Sequence, residues 1–415
     1  ALIAYVVGGY LIGFMVGRLL LIPVAAVAHL DKTFESLVPI AAGVIGTVSG
    51  LGWFNARFAL PAGRGGVHGS AYFASAEEVR RSLGSAAGLI VGRENRRGGQ
   101  LLRYAGQAHL LTISPTRSGK GVGAIIPNLL TADRSVLCID PKGENARITA
   151  RARARFGPVY VLDPFGVSGQ PSAAFNPLAG LDPDGLDLAE DAALLADALV
   201  HDPPGQVGEA HWNEEAKALI TGLILYVVCN EGPEVRTLST VRELLTASPQ
   251  EFRVMLEIMQ KTTCAGGLIR RAANRHLGKS EREAAGVLSS AQRHTHFLDS
   301  VRINWIMASS DFRFADLKET TATVFLVLPP ERLDAYSPWL RLMVAQAIHD
   351  LARSPARPAA PVLFLLDEFA ALGRLEPVER AFGLMAGYGL QLWPILQDMN
   401  QLWGAYGKSD GTFDS

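Results

Sequence analysis

Lys120 lies in the stretch TISPTRSGKGVG, residues 112–123, whose glycines and single lysine are typical of a phosphate-binding loop. The backbone N–H groups of such a loop and the positive end of the following helix bind the β-phosphate, and the lysine reaches the β and γ oxygens. The residues expected to bind the nucleotide are Thr116, Arg117, Ser118, Gly119, Lys120 and Gly121. The alternative is a purely structural turn between a strand and a helix.

Two positions depart from the usual loop. Ser114 replaces the leading glycine, which is tolerable if this residue keeps a negative φ. Gly121 replaces the hydroxyl residue that normally ligates Mg²⁺, so another group must hold the metal.

Two adjacent carboxylates, Asp367 and Glu368, end the apolar stretch in PVLFLLDEFAALG. Ligands of open α/β sheets bind at the carboxyl ends of the strands. We therefore predict that Asp367 holds Mg²⁺, directly or through water, and that Glu368 orients and deprotonates an attacking water. Two solvated acids at a strand end are the alternative. The pairing of these acids with the lysine loop favours hydrolysis of a triphosphate.

Two further strand ends carry polar side chains. Gln397 follows the run LQLWPIL, where its amide could sense a γ-phosphate. Asp140, Lys142 and Glu144 follow SVLCID, and for these three a plain turn explains the pattern as well as a role at the site does. The predicted catalytic residues are Lys120, Asp367, Glu368 and Gln397.

Short apolar runs must position these residues: HLLTIS, SVLCID, VYVLD, TVFLVL, VLFLLD and LQLWPIL. Their lack of alternation is typical of strands covered on both faces, which predicts a mostly parallel α/β sheet. Between FNPL and Thr321 only helical periodicity is found, an interval too long for a crossover, and we predict an inserted all-α domain. An antiparallel hairpin is expected around GRENRRGGQ.

The N-terminal residues have a different composition. Arg18 is the only charge between Leu2 and Ala28, and Ser36 to Ala56 carries none, so we predict two transmembrane helices. Arg57 and Arg64 after the second helix place the large domain in the cytoplasm, whereas the two helices are expected to contact inner-membrane lipid. The predicted domains are 1–60 (transmembrane), 61–180 and 317–415 (nucleotide-binding), and 181–316 (all-α).

The overall charge is balanced, with 39 Lys+Arg against 40 Asp+Glu, so any nucleic-acid contact requires a local basic surface. Two arginine-rich helical faces are candidates, although a solvated surface explains both: one is Arg147, Arg151 and Arg155, the other Arg270, Arg271, Arg275, Lys279 and Arg282. No aromatic stacking platform is evident. The three cysteines lack metal-site spacing and are expected to be reduced thiols.

With these residues in view, the chain resembles the coupling-protein ATPases of type IV secretion and conjugation, the TraG-like group. The resemblance rests on motifs in the family's order: HGSAYFASAEEV, PTRSGKGVGAIIPNLL, IDPKGE, VLDPFG, FNPL, HWNEEAKALI, SDFRFADLK, LLDEFAALGRLE and GYGLQLWPILQDMNQLWGAYG. Later strands found in relatives are absent after Ser415, so we expect a partial chain.

The resemblance implies a RecA-like P-loop NTPase that uses ATP and Mg²⁺. It also implies a hexameric ring, which drives single-stranded DNA and its attached relaxase toward the channel proteins of the secretion system. Such rings take an arginine from the neighbouring subunit, and some relatives place it just before the GxGL turn, where this chain has Ala386. Arg374 or Arg380 could replace it, although a plain surface arginine explains either residue as well. The alternatives are an FtsK-type DNA translocase and a non-catalytic membrane receptor for secretion substrates.

Overall fold

The structure is a computed structural model and describes residues 7–8, 10–16, 18–19, 37–49, 74–94, 98–200, 210–384 and 386–407. The chain divides into two compact units, Ala1–Glu78 and Val79–Ser415. The first unit contains helical residues 10–16 and 37–49. Within the described ranges, no helix combines the length and the apolar character needed to cross a bilayer. Much of both predicted membrane helices falls on residues outside these ranges, so they remain a prediction.

The second unit is built around a six-stranded sheet with the strand order β3-β8-β7-β4-β6-β5. All neighbouring strands in it pair parallel, as the apolar runs predict. The strands are β3 (Thr112–Ile113), β4 (Val136–Asp140), β5 (Val159–Leu162), β6 (Thr323–Val327), β7 (Val362–Leu366) and β8 (Leu390–Leu396). A separate antiparallel hairpin of β1 (Leu89–Arg93) and β2 (Leu101–Tyr104) precedes the sheet and confirms the predicted turn.

Hydrophobic clusters cover both faces of the sheet. Along β4, Leu137 and Ile139 join one cluster, whereas Val136 and Cys138 join the other. This alternation explains why the strands are apolar without period-two patterning, since both faces are buried.

Helices fill the rest of the second unit. Before β6 they are α1 (Ala76–Leu83), α2 (Ile126–Thr131), α3 (Glu144–Arg153), α4 (Leu188–Leu199), α5 (Ala210–Asn230), α6 (Leu238–Thr246), α7 (Pro249–Met259), α8 (Leu268–Leu277), α9 (Glu281–His294), α10 (Val301–Ile306) and α11 (Asp316–Glu319). After β6 come α12 (Leu333–Arg353), α13 (Glu376–Leu384) and α14 (Met399–Tyr406).

The described residues between β5 and β6 form helices joined by irregular segments and contain no strand, and this interval includes the predicted inserted domain. One hydrophobic cluster includes Leu223 of α5 and Leu137 of β4, so the helical segment and the sheet share a core. The predicted domain boundaries remain a prediction.

The expectation of three reduced thiols is wrong for two of them. Cys229, near the end of α5, and Cys264, after α7, form a disulfide within the helical segment. Cys138 is a free, buried thiol on β4, as expected. The two paired cysteines are 35 residues apart, and sequence spacing of that length gives no indication of spatial proximity.

Candidate nucleotide-binding site

The phosphate-binding loop follows β3 at the carboxyl edge of the sheet. Its start is fixed by the backbone N–H of Ser114, which donates to the Leu396 carbonyl at 2.9 Å. Ser114 keeps a negative φ, as the prediction requires, whereas Arg117 and Gly119 have φ of 64° and 87°. The left-handed conformation costs a non-glycine residue about 1–2 kcal/mol. The loop therefore carries local backbone strain at Arg117, and such strain often occurs at ligand-binding turns.

Lys120 faces the acidic pair across this edge. Its Nζ lies 3.9 Å from Asp367 Oδ1, and the two side chains are only 18% and 19% exposed. Burial raises the pKa of Asp367, and the nearby Lys120 opposes that rise. Residues from two distant parts of the chain thus share one partly desolvated site, and a charged ligand would interact strongly with both.

Glu368 occupies an unusual backbone conformation beside this pair. Its φ is 55°, and its N–H donates to Asp367 Oδ1 at 3.1 Å. Because Glu368 is not in the extended conformation, the side chains of Asp367 and Glu368 need not point to opposite faces as consecutive residues of a strand do.

Gln397 connects the loop with the acidic pair. Thr116 Oγ1 donates to Gln397 Oε1 at 2.9 Å, and Gln397 Nε2 donates to Glu368 Oε1 at 3.1 Å. This is possible because β8, which Gln397 follows, lies between β3 and β7. The structure therefore brings together all four residues predicted as catalytic.

The residues present fit a magnesium ion held mainly by a nucleotide. Mg²⁺ usually keeps several waters and binds through one or two carboxylates and substrate phosphates. Asp367 offers one such carboxylate at the loop, and in the described ranges no group of three or more His, Cys, Asp or Glu side chains forms a metal cage. A protein-only metal centre is not what this edge provides.

The turn after β4 has a mainly structural role. Asp140 is buried, and its Oδ2 accepts from the Ala146 N–H at 2.8 Å, so it caps α3; burial raises its pKa. Glu144 lies 3.9 Å from Arg147. Lys142 is exposed, and its charge lowers the pKa of Asp367, which places it within electrostatic range of the site.

Sequence reasoning missed Arg341. It is buried in α12 and donates to the carbonyl oxygens of Leu372 and Arg374, in the loop that follows Glu368. Burial lowers its pKa to about 10. The sequence does place this arginine inside the apolar stretch WLRLMVAQ, which could have indicated a buried charge with specific hydrogen-bond partners.

The two arginines proposed to act on a neighbouring subunit have partners within the chain. Arg374 lies 3.3 Å from Glu379, and Arg380 lies 4.0 Å from Glu376. Both arginines keep substantial exposure, 45% and 59% of the side chain, so either could exchange its partner for a ligand.

The two arginine-rich faces are not uniform surfaces. Arg155 lies beyond the end of α3 and donates to the Leu130 carbonyl. Arg275 and Lys279 are neutralised by Glu215, at 2.6 and 2.9 Å. The second face therefore has less free charge than its sequence indicates.

A cavity of about 700 Å³ lies elsewhere, between α4, α12 and the segment after β5. Its lining includes Asp191, His349 and Asp350 and none of the nucleotide-site residues. The phosphate-binding loop is instead open to solvent, since Thr116 and Arg117 are exposed. The charged and strained groups converge at this exposed loop and not at the cavity.

A parallel sheet with a lysine loop at one strand end and a carboxylate pair two strands away defines the class of P-loop nucleotide-binding proteins. A family model described as Type IV secretory system Conjugative DNA transfer matches residues 73–412, and the chain belongs to this family. The resemblance indicated by the motifs is thereby confirmed.

Curated relatives support the assignment. A "Conjugal transfer protein TraG" of Escherichia coli is 33% identical over 340 residues, which cover 77% of this chain and 53% of the relative. A "Protein VirD4" of Rhizobium radiobacter is 30% identical over 322 residues, 74% of this chain and 44% of the relative. The chain thus spans about half the length of the curated relatives it matches.

Solved structures share the fold. "Plasmid coupling protein TrwB in complex with the non-hydrolisable ATP-analogue ADPNP" superposes with a TM-score of 0.63 at 18% identity, covering 82% of this chain and 76% of that chain. The same protein "in complex with ADP and Mg2+" gives a TM-score of 0.63 at 19% identity and the same coverage.

Proposed function

We propose that this chain is the ATP-hydrolysing coupling protein of a type IV secretion or conjugation system, which moves single-stranded DNA, alone or with its relaxase, into the secretion channel. Family membership supports the biological role. The observation that carries the activity is the convergence of Lys120 with Asp367 and Glu368 at one sheet edge. Structural neighbours bound to ADPNP and to ADP with Mg²⁺ support the choice of ATP and magnesium.

Each residue has a specific role in this proposal. The backbone N–H groups of Thr116 to Gly121 bind the phosphates, and Lys120 neutralises the β and γ oxygens. Mg²⁺, held by Asp367, would supply charge neutralisation at the phosphates. Glu368 orients a water and accepts its proton, and Gln397 reports the γ-phosphate through its hydrogen bond to Glu368.

The assembly in this proposal is a membrane-anchored hexameric ring in the bacterial inner membrane. Two N-terminal transmembrane helices anchor it, and the nucleotide-binding domain (61–180 and 317–415) with its inserted all-α domain (181–316) extends into the cytoplasm. An arginine of the adjacent subunit, Arg374 or Arg380, completes each site.

Substituting Glu368 by glutamine tests whether the chain is a motor or a receptor. A glutamine keeps the size and the hydrogen bonds but removes the base, so ATP binding should persist while turnover falls about 10²–10⁴-fold. Plasmid transfer from donor cells should fall with turnover. Glu257→Gln is the matched control, because Glu257 is 53% exposed on α7, in the helical segment and outside the site.

Two results would contradict the proposal. Unchanged transfer with Glu368→Gln and no turnover would indicate a receptor that needs nucleotide only for assembly. Full turnover in this variant would show that Glu368 is not the base.

A further inference from the structure

Phe165 lies between two arginines that come from distant parts of the chain. Its ring centroid is 6.0 Å from the guanidinium carbon of Arg302 and 5.7 Å from that of Arg332. Its ring also packs on Tyr336, with centroids 5.3 Å apart. An aromatic ring attracts a guanidinium group, but two such groups at one ring repel each other.

Neither arginine is neutralised within the part of the chain that the structure describes. Arg302 donates to the Pro164 carbonyl at 3.5 Å, and among the described residues neither Arg302 nor Arg332 forms an ion pair. Glu331 and Asp334 are close to Arg332 in sequence but form no ion pair with it. Paired cations without a counterion provide a site for an anion.

An exposed aromatic side chain lies about one helical turn from Arg302. Trp305 is 67% exposed and Val301 is 82% exposed, both on α10. Residues three apart on a helix are neighbours, so Trp305 adjoins Arg302. An exposed indole next to free arginines is typical of surfaces that bind unpaired nucleic acid, because bases stack on the ring while the cations bind phosphates.

The position of this surface connects it with the nucleotide site. Phe165 belongs to the loop after β5, which is closed by Asp163 Oδ2 accepting from the Ser168 N–H and hydroxyl at 2.7 and 2.6 Å. This loop packs on the turn after β4, where a Cβ at Gly143 would lie 2.8 Å from the Cα of Ser168. The β4 strand adjoins β7, which Asp367 directly follows, so both sites lie at the carboxyl edge of the sheet.

We propose that Phe165, Arg302, Trp305 and Arg332 form a binding surface for single-stranded DNA, the Phe165 surface. Arg302 and Arg332 bind phosphates, Trp305 stacks on an unpaired base, and Phe165 holds the two guanidinium groups in place. The inference rests on the proposed function and deepens it, since it gives the DNA a location on the subunit.

Salt-dependent binding of a fluorescent oligothymidylate to the purified chain in detergent tests the electrostatic part. For single strands, the slope of log K against log salt is about −0.7 per phosphate neutralised. The double variant R302Q/R332Q should therefore bind more weakly, with a slope smaller in magnitude by about 1.4. The pair R302K/R332K should retain most of the slope, because lysine keeps the charge. Arg253→Gln, at a 76% exposed arginine of α7 that belongs to neither arginine-rich face, is the control and should leave the slope unchanged.

Trp305→Ala tests the stacking part of the proposal. Because Trp305 is 67% exposed, its removal should leave the fold intact. Its affinity for the oligonucleotide should fall about tenfold with an unchanged slope, and Trp305→Phe should restore most of it. Thermal melting verifies the fold of every variant.

Three outcomes would overturn the inference. Wild-type chain that binds no oligonucleotide would contradict both this surface and the DNA substrate of the proposed function. Wild-type binding with an unchanged slope in the double variant would refute the Phe165 surface alone. A loss of self-association in sedimentation, with unchanged DNA binding, would identify the surface as a protein interface.

Discussion

The sheet edge that carries the candidate nucleotide site, here called the nucleotide edge, differs from the helical segment between β5 and β6 in backbone strain and in helix capping. Helices α6, α7, α9 and α10 each begin with a side chain that accepts a hydrogen bond from the first turn, namely Thr237, Ser248, Ser280 and Ser300. At the nucleotide edge, by contrast, Arg117 and Glu368 have positive φ. In the described part of the helical segment, the non-glycine residue with positive φ is Ala265, which lies in a turn beside two glycines. Strain at the nucleotide edge thus coincides with the ligand-binding groups.

Charges differ between the two regions in the same way. In the helical segment, Glu215 accepts from Arg275 and Lys279, and the hydrogen bond from Arg275 is the main reason its pKa is lowered to about 2. At the nucleotide edge, Lys120 and Asp367 are 3.9 Å apart, and burial raises the pKa of Asp367. The charges around Glu215 form close ion pairs without a ligand, whereas Lys120 and Asp367 form only a long ion pair with each other and can interact with a bound nucleotide. Substitutions should therefore affect stability in one region and turnover in the other.

The largest effect should come from Lys120→Ala. Removal of one preorganised donor to a developing charge typically lowers turnover about 10²–10³-fold. The free energy of unfolding should change by about 1 kcal/mol or less, since the ion pair of Lys120 with Asp367 is long, at 3.9 Å. ATPase assays and chemical denaturation measure the two quantities, and Lys261→Ala, an exposed lysine after α7, should change neither. A large loss of stability would remove the distinction between the regions.

Arg242→Met should show the opposite behaviour. Arg242 is buried and donates to both Asp299 oxygens at 2.7 Å and to the Gln292 carbonyl. Its loss should lower the free energy of unfolding by about 2–3 kcal/mol, less than for a fully buried pair because Asp299 is half exposed. Arg253→Met, at a 76% exposed side chain, is the control. Unchanged denaturation midpoints would contradict the assignment.

Asp350 provides a test in the cavity beside α12. Burial raises its pKa to about 7 from 3.8. Because the folded state then binds the proton more tightly than the unfolded state, stability should fall as pH rises from about 4 to about 7. Asp350→Asn should flatten that part of the stability profile and raise stability at pH 7.5 by up to about 2 kcal/mol. Melting curves of both proteins across this pH range measure the effect. If the substitution left the dependence of stability on pH unchanged, Asp350 would be ionised in the folded protein.

The smallest effect is expected from releasing strain in the loop. Arg117→Gly should raise the free energy of unfolding by about 0.5–1 kcal/mol, because glycine adopts the observed φ of 64° without a steric cost. The same change at Arg151, inside α3, should lower it by a similar amount. If both variants were destabilised equally, Arg117 would not be strained.

Local pattern was sufficient to predict the sheet and to place the four candidate site residues at one edge of it, because each buried strand is an uninterrupted apolar run and each candidate residue comes after one. The catalytic roles of these residues stay a prediction. The strand β8 matches its run from Leu390 to Leu396, whereas β3 is reduced to Thr112–Ile113 at the sheet edge, where a strand has a single neighbour. The Phe165 surface could not be predicted, since its members come from three separate segments. The disulfide was missed for the same reason.

The central claim is that Lys120, Asp367 and Glu368 surround one triphosphate. A structure of the chain determined with Mg²⁺ and a non-hydrolysable ATP analogue tests it most directly. We expect the β and γ phosphates over residues 116–121, with Lys120 Nζ on their oxygens, Asp367 on the metal and Glu368 facing the γ-phosphate. A nucleotide bound in the cavity beside Asp350, or one that leaves Asp367 and Glu368 without contact to metal or phosphate, would contradict the account.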